Sequence, residues 1–261
     1  WKNQENDFVA GEFVWTGFDY LGEPTPYNAL WPSRSSYFGI IDLCGIPKDR
    51  YYLYQSHWSS QKVLHILPHW NWEGKEGEQV PVYVYTNYPC AEVFINGKSY
   101  GKKTFDPTRL LDSYRLRWEN TVYEPGELKV VAYENDGRVA DTKIIHTAGL
   151  PVQITLEPDR TQLVANGEDL VFVTVSLRDK EGNICPLADN LIHFRVTGAG
   201  TLRAVGNGNA ASLEPFEANY RKAFYGKCMA IIQSSLQAGD IIIEASGEGL
   251  QSSAITISTK Q

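Results

Sequence analysis

Gly11-Glu12-Phe13-Val14-Trp15-Thr16-Gly17-Phe18-Asp19-Tyr20-Leu21-Gly22-Glu23-Pro24 reads as an apolar strand that breaks into a polar loop punctuated by glycine and proline. Strand ends of this kind build active sites. Upstream, Phe8-Val9-Ala10 extends the apolar run, which suits a strand buried on both faces, as in a parallel sheet. Downstream, a long loop marked by Gly22, Pro24, Pro26 and Pro32 reaches Ser36, and Tyr37 to Leu43 forms a second short apolar run. Pro47-Lys48-Asp49 predicts a helix start, with Tyr51, Tyr54, Gln55 and Trp58 recurring along one face. One strand, one loop and one helix cannot enclose a core. Residues 1–58 therefore read as the last βα unit of an incomplete (β/α)8 barrel whose other units lie upstream. A chain that opens on Trp1 rather than methionine is expected to be cut from something longer.

From about residue 59 the pattern changes to short strands. Val80 to Thr86 alternates, Ala91 to Ile95 follows, and Asn96-Gly97 is a type I′ hairpin signal leading into Ser99 to Lys103. Tyr114 to Trp118 and Gly126 to Tyr133 add strands, with Asp136-Gly137 as a further turn. Residues 59–148 are predicted to form an immunoglobulin-like β-sandwich. After the linker Gly149-Leu150-Pro151, eight strands are predicted: Val152 to Glu157, Leu170 to Arg178, His193 to Thr197, Leu202 to Val205, Lys222 to Phe224, Cys228 to Ser234, Asp240 to Ala245 and Ala254 to Ile257. Residues 149–261 thus read as a second immunoglobulin-like sandwich, and the fold class as mainly β.

The 261 residues, 43% hydrophobic, can supply a core to each domain. A formal net charge of −7 without long Lys/Arg runs argues against nucleic acid and anionic membranes as partners. No apolar run reaches the roughly 18 residues of a spanning helix, and Trp1 to Asp7 lacks the pattern of a signal peptide. A periplasmic or extracellular setting is expected, although no segment states the compartment. Cys44, Cys90, Cys185 and Cys228 are widely spaced, which favours buried free thiols over a zinc site or a redox pair and leaves room for one disulfide. Seven Trp and fifteen Tyr match the bias of carbohydrate-active proteins, whose aromatic planes stack on sugar rings, and they also fill sandwich cores.

Glycoside hydrolysis needs two carboxyl groups facing each other across the scissile bond. Glu12, Asp19 and Glu23 are the acids near the strand end, but opposing carboxylates usually come from different strands, so no catalytic pair is assigned here. Asp19 reads more readily as a loop carboxylate that bonds backbone amides or an arginine. Trp15 is either core filling or an apolar platform at the floor of a pocket. His65 and His69 stand four apart, but Pro68 between them disrupts the helix that such a ligand pair needs, so no metal is assigned. His69-Trp70-Asn71-Trp72 is expected to pack the first sandwich onto its neighbour. Gly206-Asn207-Gly208-Asn209 lacks the following helix of a phosphate loop and reads as a turn. No Gly-x-Ser-x-Gly elbow occurs.

The strand-loop motif Gly11 to Pro24, together with Trp31-Pro32-Ser33-Arg34-Ser35-Ser36-Tyr37-Phe38-Gly39, Pro47-Lys48-Asp49, Pro68-His69-Trp70-Asn71-Trp72 and Ala91-Glu92-Val93-Phe94-Ile95-Asn96-Gly97-Lys98-Ser99, resembles the C-terminal part of glycoside hydrolase family 2 β-galactosidases. The resemblance implies a retaining hydrolase of terminal β-galactosides whose two catalytic glutamates lie on upstream barrel strands, so that this chain would be inactive alone. It implies that Trp15 lines the subsite of the non-reducing sugar. Asp19, Glu23 and Arg34 join it as candidate substrate-binding residues; Arg34 would meet a hydroxyl or pair with a loop carboxylate. Some members hold a monovalent cation with a carbonyl and an Asn; the comparable stretch Ser36-Tyr37-Phe38-Gly39 has no Asn, so neither metal nor other cofactor is expected. The expected partners are a carbohydrate substrate and the upstream barrel. A rival reading is a non-catalytic carbohydrate-binding or structural module, since a sandwich fold alone does not fix a function.

Overall fold

A computed structural model describes residues 6–11 and 13–261. The chain divides into two compact units that interleave along the sequence. One holds the residues through Asp19, Phe38–Asp42 and Pro47–Thr147; the other holds Tyr20–Tyr37, Leu43–Ile46 and Ala148–Gln261. Residues 1–58 are shared between the two units.

In the first unit, α1 (Asp49–Trp58) begins directly after Pro47 and Lys48, as the sequence predicts, with Asp49 placed favourably in its first turn. Strands β1 (Leu64–Leu67), β2 (Val82–Thr86) and β5 (Leu116–Trp118) form one antiparallel sheet in the order β1-β2-β5. Strands β3 (Cys90–Ile95), β4 (Lys98–Thr104), β6 (Glu127–Tyr133) and β7 (Val139–His146) form the other in the order β4-β3-β6-β7. Strict alternation buries Ala91, Val93 and Ile95 on β3 and Leu128, Val130 and Ala132 on β6, where they meet Val82, Val84 and Leu116 in one core. Asn96 (φ 48°) and Gly97 (φ 81°) take the left-handed conformations of the expected hairpin turn. Trp70 does not pack outward as expected. It is buried in this core, edge-on to Tyr123 at 5.1 Å, with its indole N–H donating to the Glu124 carbonyl.

The second unit contains β8 (Gln153–Pro158), β9 (Gln162–Val164), β10 (Leu170–Arg178), β11 (Leu191–Gly198), β12 (Gly200–Gly206), β13 (Tyr220–Lys222), β14 (Lys227–Ser234), β15 (Gly239–Ser246) and β16 (Ser253–Lys260). Their sheets run β12-β14-β10-β8 and β13-β11-β15-β16-β9. All eight strands predicted in this region are present, shifted by a few residues at their ends. The short β9, which pairs parallel to β16, is additional. Val171, Val173, Val175 and Ile232 of one sheet pack with Ile192, Ile241, Ile243 and Ile257 of the other. Each such side chain contributes about 1.5–3 kcal/mol on burial.

The strand expected across Phe8 to Trp15 does not form among the described residues. Phe8, Phe13 and Trp15 are exposed, and the sheet-like contact nearest to them is an isolated parallel bridge from Phe18 to Ile41. Over residues 13–47 the described residues show single-residue bridges, Phe18 to Ile41, Leu21 to Ser35 and Ile41 to Pro47, and no strand. Among them, no helix is long and apolar enough to cross a membrane.

Candidate functional site

Two anchors fix the turn that follows Trp15 in the first unit. The N–H groups of Ile40 and Ile41 donate to the Gly17 carbonyl at 3.1 and 2.9 Å, and the Asp19 N–H donates to the Ile41 carbonyl at 2.9 Å. The Asp19 carboxylate is buried and fully used locally. One oxygen accepts the Gly39 N–H at 2.9 Å, and the other pairs with Lys48 Nζ at 2.5 Å. Only glycine fits at position 39, because a Cβ there would lie 2.3 Å from the Asp19 nitrogen and 2.8 Å from its carboxylate. Above this anchored turn stands Trp15, 71% exposed, with a cis peptide bond to Thr16. Its indole presents an apolar face to the outside. Glu12 lies outside the described residues.

Glu23 and Arg34 belong to the second unit, within Tyr20–Tyr37. This segment folds back on itself through a bridge between Leu21 and Ser35, with the Gly22 N–H donating to the Arg34 carbonyl at 2.9 Å. The buried Ser35 and Ser36 hydroxyls bond the Tyr20 carbonyl and N–H at 3.0 and 2.9 Å. The exposed Glu23 accepts a short hydrogen bond from the Tyr20 hydroxyl. Among the described residues Arg34 meets carbonyls rather than a carboxylate: its backbone N–H donates to the Ala210 carbonyl at 3.2 Å and its Nη2 to the Ser212 carbonyl at 2.5 Å. Within this unit, then, the segment is held to the loop that follows β12.

That loop is braced from beneath by Arg221, a residue for which sequence reasoning assigned no role. It is only 1% exposed. Its Nη1 donates to Ser212 Oγ at 3.1 Å and to the Glu214 carbonyl at 3.2 Å, and its Nη2 to the Val205 carbonyl at 2.8 Å. The Glu214 carboxylate lies 3.7 Å away as counter-charge. The sequence signal was present, since Arg221 occupies the inward position of the Tyr220-Arg221-Lys222 alternation, but the predicted strand began one residue too late to include it.

The histidines do not converge. His65 Nε2 meets Asp49 at 2.7 Å under a stacked Tyr52, whereas His69 stacks on Trp72 and burial lowers its pKa. Among the described residues no three His, Cys, Asp or Glu side chains form a metal-binding group. Cys90, Cys185 and Cys228 are free thiols; burial pushes Cys185 up to about 11 and Cys228 up further, so both behave as apolar core residues. Gly206-Asn207-Gly208-Asn209 is a turn leaving β12, with Asn207 Nδ2 donating to the Lys222 carbonyl at 2.8 Å.

Residues 154–256 match the model of glycoside hydrolase family 2 C-terminal domain 5, and residues 77–140 match a domain of unknown function (DUF4982). The chain is 49% identical to beta-galactosidase BoGH2A of Bacteroides ovatus over 99% of its own length and 29% of that protein's. It is 31% identical to a putative beta-glucuronidase of Formosa agariphila, covering 88% of this chain and 22% of that one. Among solved structures, a beta-glycosidase from Bacteroides vulgatus superposes with a TM-score of 0.89 at 34% identity, over 98% of this chain and 32% of that one. The chain therefore spans less than a third of the length of each of these three proteins. Sandwich order, the strand-loop motif and these likenesses agree, and the chain belongs to glycoside hydrolase family 2, of which it represents the C-terminal part.

Proposed function

We propose that the protein containing this chain is a retaining glycoside hydrolase that removes terminal β-galactosyl residues, with its two reacting carboxylates on barrel strands upstream. The observation that carries this reading is the 49% identity to a beta-galactosidase along essentially the whole chain. Residues 1–58 are then the last βα unit of that barrel, and residues 59–148 and 149–261 are accessory sandwiches. Trp15, exposed beside an anchored turn, serves as an apolar platform against a sugar face. Glu23 offers a hydroxyl acceptor on the loop that follows. Asp19 and Arg34 act indirectly, through the turn and the loop backbone that they hold.

The test is to assay the full-length protein on matched aryl β-galactoside, β-glucuronide and β-mannoside substrates. The expected result is a kcat/KM for the galactoside at least a hundredfold above the others. A preference for the glucuronide would overturn the reading.

A further inference from the structure

The second unit carries a groove of about 640 Å³ that none of the roles described so far uses. Its lining includes Pro32, Leu187, Asp189, Asn209, Lys222 and Tyr225. The volume lies within the range of small-molecule sites. Its buried polar groups are satisfied within the protein. Glu214 accepts the Lys222 N–H at 2.9 Å and the Ser212 hydroxyl at 3.0 Å, and Asn207 bonds the Lys222 carbonyl and the Asn209 N–H. The groups left to meet a ligand are therefore the half-buried Asn209 and the exposed residues beside it. Asn209 uses its Oδ1 on the Ala211 N–H at 2.9 Å, which leaves its NH2 as a donor. Asp189 offers an acceptor and Lys222 a donor, both exposed and opposite in sign. Such a set has no net charge to attract an anion, but it can meet hydroxyls in either sense.

Tyr225 supplies the second observation. It sits at the first central position of the tight turn joining Phe224 and Lys227, which exchange backbone hydrogen bonds at 2.7 and 3.1 Å. Its φ is +50° and that of Gly226 is +73°, the geometry that Asn-Gly or Asp-Gly fills without strain. A bulky aromatic residue in the left-handed region is an outlier, and an outlier of this kind points to a function of the side chain. The ring is braced edge-on by Phe224 at 4.5 Å and remains 62% exposed beside the groove. An exposed, braced aromatic face among balanced donors and acceptors is the chemistry that recognises a sugar: C–H face on the ring, hydroxyls on the polar groups.

We propose that this groove is a second saccharide site that takes a neutral oligosaccharide, with Tyr225 as the stacking platform and Asn209, Asp189 and Lys222 as hydroxyl partners. The choice of ligand draws on the glycoside-hydrolase reading, while the groove and its turn stand without it. The test is calorimetric titration of the full-length protein with neutral β-linked gluco- and galacto-oligosaccharides, in excess galactose to occupy the reaction pocket. Tyr225→Asn suits the turn, so it keeps or raises Tm. It is expected to weaken oligosaccharide binding by about tenfold or more, as loss of a central aromatic anchor does. Tyr225→Phe keeps the affinity, and neither variant changes kcat/KM on an aryl β-galactoside. Absence of saturable binding by the parent, or unchanged affinity in Tyr225→Asn, would overturn the proposal. So would an equal loss on the aryl substrate, which would place Tyr225 in the reaction pocket, or a fall in Tm without loss of binding, which would make it a packing residue. Should the parent hydrolyse no aryl glycoside, the proposed activity fails while the titration still decides the groove.

Discussion

The segment around Trp15 and the two sandwiches are built on opposite terms. In the sandwiches, alternation sends Val93, Leu128, Val173 and Ile243 into cores where each is fully buried. Around Trp15 the apolar side chains point outward, and the backbone is held by a few polar anchors: Asp19 to Gly39 and Lys48, and the bridge from Phe18 to Ile41. Local hydrophobicity alone thus does not make a strand. The sandwiches carry their partners within the chain, whereas the strand end presents surface for something else to meet.

The contrast can be broken most forcefully at Arg221. Replacing it with Met leaves the Val205, Glu214 and Pro215 carbonyls without their donor, and should destabilise the second unit by about 3–5 kcal/mol in denaturant titrations. A cost below about 1 kcal/mol would show that the loop after β12 holds itself. Next, Ile243→Ala should cost about 2–5 kcal/mol, because the close-packed core around it collapses only partly into the space left.

Asp179 gives a smaller, pH-dependent effect. Burial pushes its pKa up, but hydrogen bonds from the Gly149 N–H, the Asn183 side chain and N–H, and the Glu181 N–H outweigh it and hold the carboxyl below the usual range. A carboxylate with a depressed folded pKa contributes fully above its unfolded value of about 4, and the contribution is lost as pH falls through the folded value. Tm should therefore decline below about pH 4, and Asp179→Asn should flatten that decline while costing about 1–2 kcal/mol at neutral pH. The smallest effect belongs to Phe13→Ser, which removes an exposed ring and should change the stability of the 261-residue chain by less than about 0.5 kcal/mol. A large loss would mean that the segment has a core of its own.

Much of the sandwich architecture could be read from the sequence because its signals are local. Asn96-Gly97 marked a hairpin through the φ > 0 positions that its turn demands, and Asp136-Gly137 marked another between β6 and β7. Three strands carried weaker signals. β1 is four residues long, includes His65 and ends at Pro68; β7 carries Asp141, Thr142 and Lys143 in succession; β9 is a three-residue parallel edge. The anchors of the candidate site were hidden for another reason. Gly39 and Lys48 meet Asp19 from 20 and 29 positions away, and Arg34 finds its acceptor in Ser212, so no periodicity or spacing could announce them. Trp15 and Glu23 were legible as candidates because they sit on the strand-loop motif itself; what surrounds them became visible only in three dimensions.

The central claim is that Trp15 is the sugar-facing platform of a β-galactosidase pocket. It is tested most directly by kcat/KM of the full-length protein on an aryl β-galactoside, with Trp15→Ala against the parent and Tm recorded for both. The account predicts a loss of about a hundredfold, equivalent to about 2.7 kcal/mol of transition-state stabilisation. An unchanged kcat/KM would contradict it.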